Sequence, residues 1–194
     1  MKTRTTKNNN FREIISAWAK AMTVMLRQIE KQTSEELVEM ILQANKIFIA
    51  GQGRSGLIGR CLATRLTQMG FHVHVPGHAT CQKIEAGDLM IAISCRGTTM
   101  TTVEFSRISR QAGAKVAAIT ASGDSTLAKL ADKIILIAAN DEKIRKKCKY
   151  IVGPSNNTLF EQTALLYFDA LIHILLKRKG ISINIINQKH ANLE

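Results

Sequence analysis

Proline is scarce in this chain, with two residues in 194, and aromatic side chains make up only 5% of it. So little proline argues against a Pro-rich linker or a disordered stretch. One Trp and two Tyr leave no platform of rings on which nucleic-acid bases could stack. The four cysteines, Cys61, Cys81, Cys95 and Cys148, form no C-x-x-C pair and have no metal-ligand spacing with histidine. Reduced thiols and no metal site are therefore expected. Long apolar runs are also missing, because Lys20 and Arg27 interrupt the best candidate for a membrane span. A charged helix stands where a secretory leader would need its apolar centre. These gaps together predict a cytoplasmic protein with no membrane partner.

What the chain has in excess is positive charge: 27 Lys and Arg against 15 Asp and Glu, a formal +12. Residues 1–31 hold seven basic and two acidic side chains, and Lys143, Arg145, Lys146, Lys147 and Lys149 crowd a single connection. Such a balance raises nucleic acid as a partner. Without basic and aromatic residues interleaved, solvated faces and an attraction for anionic metabolites are the expectation, with no nucleic-acid partner. A length of 194 residues at 45% hydrophobic content suits one domain with a sizeable core.

Within that domain, apolar residues alternate between helical and strand spacing. Ile15, Trp18, Met22, Met25 and Ile29 recur three and four apart, which predicts an amphipathic helix over 11–31. Thr33 to Glu36 reads as a capping box that opens a second helix, ending at Asn45. Strands are predicted at 47–50, 71–75, 88–94, 115–120 and 133–138, with helices at 55–69, 99–112 and 125–131 between them. This alternation is the pattern of a parallel sheet covered on both faces. The fold class expected is α/β: a five-stranded parallel doubly wound sheet of flavodoxin-like order, with additional N-terminal helices. Residues 1–45 hold those helices, 46–178 the α/β core and 179–194 a tail. The connection 139–157 reads as irregular, and 158–178 as a long helix apolar around most of its circumference, suited to burial or to a subunit interface.

The stretch KIFIAGQGRSGLIGR, Lys46 to Arg60, organises the rest. A buried strand ends in Gly51 and Gly53, and a helix follows, with Ser55 as its expected cap. Gly53, Arg54, Ser55 and free backbone N–H groups then form an anion site where strand meets helix. Gly51, Gly53 and Gly56 also match G-x-G-x-x-G, but the acid that a dinucleotide fold needs about 20 residues on is missing. A compact phosphate fits better, and no cofactor is expected. In the flavodoxin-like order the winding reverses between the first and third strands, so loops 51–56 and 94–99 should face each other. Ser94, Arg96, Thr98 and Thr99 of the second loop add hydroxyls, a guanidinium and another helix N-terminus to the phosphate cradle.

AGQGRSGLIGR, DLMIAISCRGTT, AKVAAITASGDSTLAKLAD, TLFEQTALLYFDALI and the terminal HANLE together resemble the 6-phospho-3-hexuloisomerase family, within the wider sugar isomerase (SIS) domain group. The match runs from the N-terminal helices to the last residue. It implies a single SIS domain in a homotetramer that converts 3-hexulose 6-phosphate to fructose 6-phosphate, completing formaldehyde fixation by the ribulose monophosphate route after an aldol step. A metal-free isomerisation of this kind removes the proton at carbon 2, passes through a 2,3-enediol and returns the proton at carbon 3. Glu161 matches the glutamate of the family's TLFE and is the candidate base, although Thr158 to Glu161 also reads as a capping box. His190 matches the histidine of HANLE and is a candidate acid or proton shuttle, in its own site or a neighbouring subunit's. His72, His74 and His173 read as packing residues, and His78 sits in the loop after the second strand without an assigned role.

The chain departs from the family where relatives read SGSGET and this sequence reads SCRGTT. Arg96 replaces a phosphate-binding serine, Thr98 replaces an acid, and Cys95, at a helix N-terminus, is either an activated thiol or a small buried side chain. Two other readings remain. One is a phosphosugar-binding SIS protein that senses without turnover, and the other is an isomerase of a different phosphosugar.

Overall fold

The computed structural model describes residues 11–147, 157–189 and 192. Its centre is a parallel sheet of β1 (Ile47–Gly51), β2 (Val73–His74), β3 (Leu89–Ile93), β4 (Lys115–Thr120) and β5 (Lys133–Leu136), in the order β2-β1-β3-β4-β5. That is the doubly wound order expected, and its winding reverses between β1 and β3. Their register pairs Ile47 with Leu89 through Gly51 with Ile93, which brings the loops after these two strands side by side. At the opposite end of the strands, the buried Asp88 accepts hydrogen bonds from the backbone amides of Lys46 (3.1 Å) and Glu85 (2.8 Å).

Each strand alternates between two cores, because successive side chains leave opposite faces. Ile47, Ile49, Leu89, Ile91 and Ile93 enter a large cluster with α2 (Lys31–Gln43), α3 (Gly53–Gln68) and α7 (Asn157–Lys179). Phe48, Ala50, Met90, Ala92 and Ala118 enter a smaller one that Leu127 of α5 (Thr126–Leu130) joins, with Val103 and Phe105 of α4 (Met100–Gln111) packed on its margin. α1 (Phe11–Gln28) lies outside the sheet and buries Ala21 and Met25.

α7 is a core helix that buries Leu159, Phe160, Phe168, Leu171 and Leu175. It also corrects the reading of the membrane signal. Among the described residues α7, not the N-terminal segment, is the helix long and apolar enough to cross a membrane, and 61% of its most apolar window is buried inside the protein. The hydropathy is thus explained by the core it fills.

Other departures have local causes. β2 is only Val73–His74, shorter than expected: it is the edge strand, with one neighbour, and it lies between Gly70, at φ 87°, and Pro76. The connection expected to be irregular contains α6 (Glu142–Lys147), where Asp141 accepts from the amide of Lys143 at 2.7 Å. The tail holds α8 (Ile183–Gln188). The Thr33 capping box does not form, because α2 starts two residues earlier, at Lys31. Glu36 is drawn instead to Lys133 of β5 and to Gln32, and these contacts hold its carboxyl below the usual range.

Candidate active site

Two glycines shape the turn between β1 and α3. A Cβ on Gly56 would lie 2.7 Å from the carbonyl oxygen of Gly51, and one on Gly51 would lie 3.0 Å from the amide nitrogen of Gly56. Strand end and helix start touch through bare backbone, so both positions need glycine for the approach itself. Ser55 does not cap α3. The capping position is Gln52, extended at φ −117° and ψ 152°, and its side chain makes no capping bond, while Ser55 lies inside the first turn. The first amides of α3 are therefore left to other acceptors, as an anion-binding turn requires.

The β3–α4 loop is pinned from inside. Ser94, 3% exposed, shares a hydrogen bond with Thr99 across 2.9 Å between hydroxyls, and its oxygen accepts from the Gly97 amide at 3.1 Å. Gly97 has φ 66°, and its carbonyl accepts from Leu127 at the start of α5 at 2.9 Å. Any Cβ at this position would run into Ser125, whose hydroxyl caps α5 through the Ala128 amide. Arg96 and Thr98 face solvent, whereas Cys95 is buried. Burial raises the Cys95 thiol to about 12, with the charge of Glu161 adding to the rise and Arg96 opposing it. Of the two readings for Cys95, the small buried side chain is therefore the one that holds, despite its place before a helix.

Glu161 comes to the same end of the sheet from the other side. It lies in the second turn of α7, 5% exposed, and its Oε2 accepts from Nε of Arg54. Arg54, expected as a phosphate ligand, is paired with this carboxylate. Its side chain nevertheless remains 59% exposed, against 7% for that of Glu161. Arg54, Cys95 and Glu161 thus form one cluster across the point where the winding reverses, with Arg96 at its edge.

Beside the cluster, a cavity of about 280 Å³ opens above the ends of β1 and β2, lined by Gly51, Gln52, Gly56, Arg60, His78 and Thr101 among others. Of its polar side chains, Gln52 lies in the 51–56 loop that the sequence points to and His78 in the loop after β2. Arg60, two turns into α3, and Thr101, at the start of α4, are brought to the cavity by the fold. His190 lies outside the described residues. Among the other histidines only His74 packs, stacked on Phe48 with ring centroids 5.1 Å apart, while His72 and His173 are exposed. Among the described residues no group of three His, Cys, Asp or Glu side chains could hold a metal ion.

Comparison with known proteins places this geometry. The SIS domain model matches residues 40–173. A 3-hexulose-6-phosphate isomerase of Bacillus subtilis is 35% identical over 166 residues, covering 86% of this chain and 89% of its own. One from Mycobacterium gastri is 35% identical over 167 residues, covering 86% and 83%. The crystal structure of a Methanococcus jannaschii protein, for which a 3-hexulose-6-phosphate isomerase function was inferred, superposes with a TM-score of 0.82 at 29% identity. It covers 94% of this chain and 99% of its own.

Proposed function

The chain belongs to the SIS domain family and is a sugar-phosphate isomerase, and from that premise we propose that it interconverts 3-hexulose 6-phosphate and fructose 6-phosphate. The observation that carries this reading is Glu161, a buried carboxylate at the carboxyl end of the sheet, held by Arg54 beside two uncapped helix N-termini.

In this reading Glu161 takes the proton from carbon 2 of the 3-ketose, and the electron pair forms the carbon 2–carbon 3 double bond as negative charge moves to oxygen 3. The same carboxyl returns the proton to carbon 3, while the hydroxyl proton at oxygen 2 is given up and the carbonyl re-forms at carbon 2. As Glu161 takes the proton it loses its claim on the Arg54 guanidinium, which can then turn to the enediolate oxygen. The attraction thus grows where charge develops, which is the differential binding that catalysis requires.

The phosphate is assigned to the N-termini of α3 and α4, with Gly53, Ser55, Arg96 and Thr98 around it. Ser94 and Thr99 shape the loop from within. His190 is assigned the transfer of the hydroxyl proton between oxygens 2 and 3. The chain is assigned to the cytoplasm as a homotetramer. In support of the assembly, α1 and α7 carry exposed apolar residues, Phe11 at 74%, Ile15 at 52%, Leu166 at 48% and Ile174 at 43%.

Proton NMR of the protein with fructose 6-phosphate in deuterated water tests the mechanism. Solvent deuterium should enter carbon 3 of the 2-ketose, with 3-ketose signals growing in, and a Glu161→Gln variant should abolish both. Binding with neither exchange nor formation of 3-ketose would sink the isomerase reading and favour a phosphosugar sensor. That second reading has one observation behind it: Arg54 already occupies the carboxylate on which turnover depends.

A further inference from the structure

A second cavity, of about 490 Å³, lies along the outer edge of β2, between that strand, the solvent side of α3 and the end of α8. Its α3 wall follows from helical spacing. Arg60, Ala63, Thr64 and Thr67 fall at i, i+3, i+4 and i+7, so they share one face, and the face is cationic and hydroxylic instead of apolar. His74 and His78 close the cavity from the strand and its following loop, and Lys189 from beyond α8. No carboxylate is among the lining residues. Neither Arg60 nor Lys189 has an acidic partner among the described residues, although surface cations elsewhere, at Lys31, Arg107 and Arg178, do.

The donor inventory selects the ligand. The Thr64 proton is already given to the Arg60 carbonyl at 3.0 Å. Thr67 and Thr80 keep their hydroxyl protons, and the guanidinium and the ammonium can only donate. A site with two permanent cations, several free donors and no acid excludes a metal ion and calls for a polyanion. At this volume the cavity is larger than a bare phosphate needs and within the range of small-metabolite sites. Ala63, Val73 and Val75 offer the carbon skeleton an apolar floor.

We propose that this cavity is a binding site for a phosphomonoester, separate from the catalytic cluster: Arg60 and Lys189 clamp the phosphate, and Thr67 and Thr80 donate to its oxygens or to adjoining hydroxyls. Neither Arg54 nor Glu161 nor the 94–99 loop reaches it. Arg60, Val75 and His78 line both this cavity and the smaller one above β1 and β2. A bound ester therefore shares a wall with the catalytic cleft, which makes the site regulatory in position.

The proposal does not depend on the isomerase reading, and its test is made in the Glu161→Gln background so that turnover cannot intervene. Amide chemical shifts are followed while inorganic phosphate, and separately fructose 6-phosphate, is added at constant ionic strength. Saturable shifts at Thr64, Thr67 and Lys189 are expected, and Lys189→Ala and Arg60→Gln should each weaken them about tenfold, the loss of one charge-assisted contact. Lys189 lies on the surface, so its variant should fold if Arg60→Gln does not. A response to both compounds would identify the phosphate group as what is recognised, and a response to the ester alone would identify the whole metabolite. Shifts confined to residues 53–56 and 98–101, or the same shifts with chloride, would overturn the second site.

Discussion

Arg54 donates through Nε to Oε2 of Glu161, a pair 107 residues apart in sequence that closes the β1–α3 turn on the second turn of α7. Because the carboxylate is buried and the guanidinium is not, the pair holds the acid's direction while leaving the cation within reach of a ligand. In the proposed mechanism Arg54 then acts as a positioning residue for Glu161. Glu161→Gln is expected to lower kcat by about 10³-fold, the usual worth of a placed general base. Arg54→Lys, which keeps the charge but loses the fork, should lower kcat by about tenfold and raise KM less. Steady-state kinetics with 3-hexulose 6-phosphate separates the two parameters. An Arg54→Lys enzyme in which only KM changed would return Arg54 to the phosphate.

Arg96 stands exposed on a loop in which Ser94 is engaged with Thr99 and with the Gly97 amide. If it grips the substrate phosphate in ground state and transition state alike, Arg96→Ala should raise KM about tenfold and leave kcat within about threefold. Arg96→Ser is expected to recover part of the affinity through a hydroxyl. If Arg96→Ala instead lowered KM, the side chain would be filling the pocket and not binding the ligand.

Why some of this was legible in the sequence and some was not comes down to range. The strand-helix alternation, the sheet order and the two facing loops follow from local periodicity and from the handedness of parallel crossovers. The cap of α5 is equally local: the Ser125 hydroxyl accepts from the Ala128 amide three residues on. Ser55 and Thr33 look equally good as caps, yet their helices start two residues earlier, where backbone extension at Gln52 and Glu30 sets the boundary. Arg54 read as a phosphate ligand because its nearest sequence neighbours form an anion turn. No local pattern could bring Glu161 to it. The cationic face of α3 was written in the spacing of Arg60, Thr64 and Thr67, but without the edge strand opposite it is indistinguishable from an ordinary solvated face.

The thiol of Cys95 and the phenol of Tyr167 are each raised to about 12, mainly by burial. Both native pKa values lie above those of the unfolded chain, so these groups favour the folded state fully below the unfolded values, near 9 for Cys and 10 for Tyr. That advantage is lost as pH rises toward 12. Urea-unfolding midpoints should therefore fall steadily between about pH 9 and pH 11. Cys95→Ala and Tyr167→Phe should each flatten the profile. Alkylation followed by mass spectrometry should modify the exposed Cys61 at neutral pH while leaving Cys95 unmodified. Rapid labelling of Cys95 in folded protein would contradict the burial that raises its thiol.

Gly51, Gly53 and Gly56 match one motif but do different work, and alanine at the last two should separate them. Gly53 has φ 56°, and a Cβ there would meet nothing within 4 Å, so its alanine variant faces backbone strain alone, about 1 kcal/mol. Gly56 is helical, and its Cβ would lie 2.7 Å from the carbonyl oxygen of Gly51, which closes the carboxyl end of β1 and pairs with Ile93 of β3. The neighbour is backbone and cannot rotate away, so α3 must lift from the end of β1 and carry Arg54 with it. Gly56→Ala is expected to cost about 2–3 kcal/mol in urea unfolding. It should also lower kcat by at least about tenfold, because the Arg54–Glu161 alignment is displaced. A Gly56→Ala protein with near-normal kcat would mean that the separation of strand end and helix start does not govern the placement of the base.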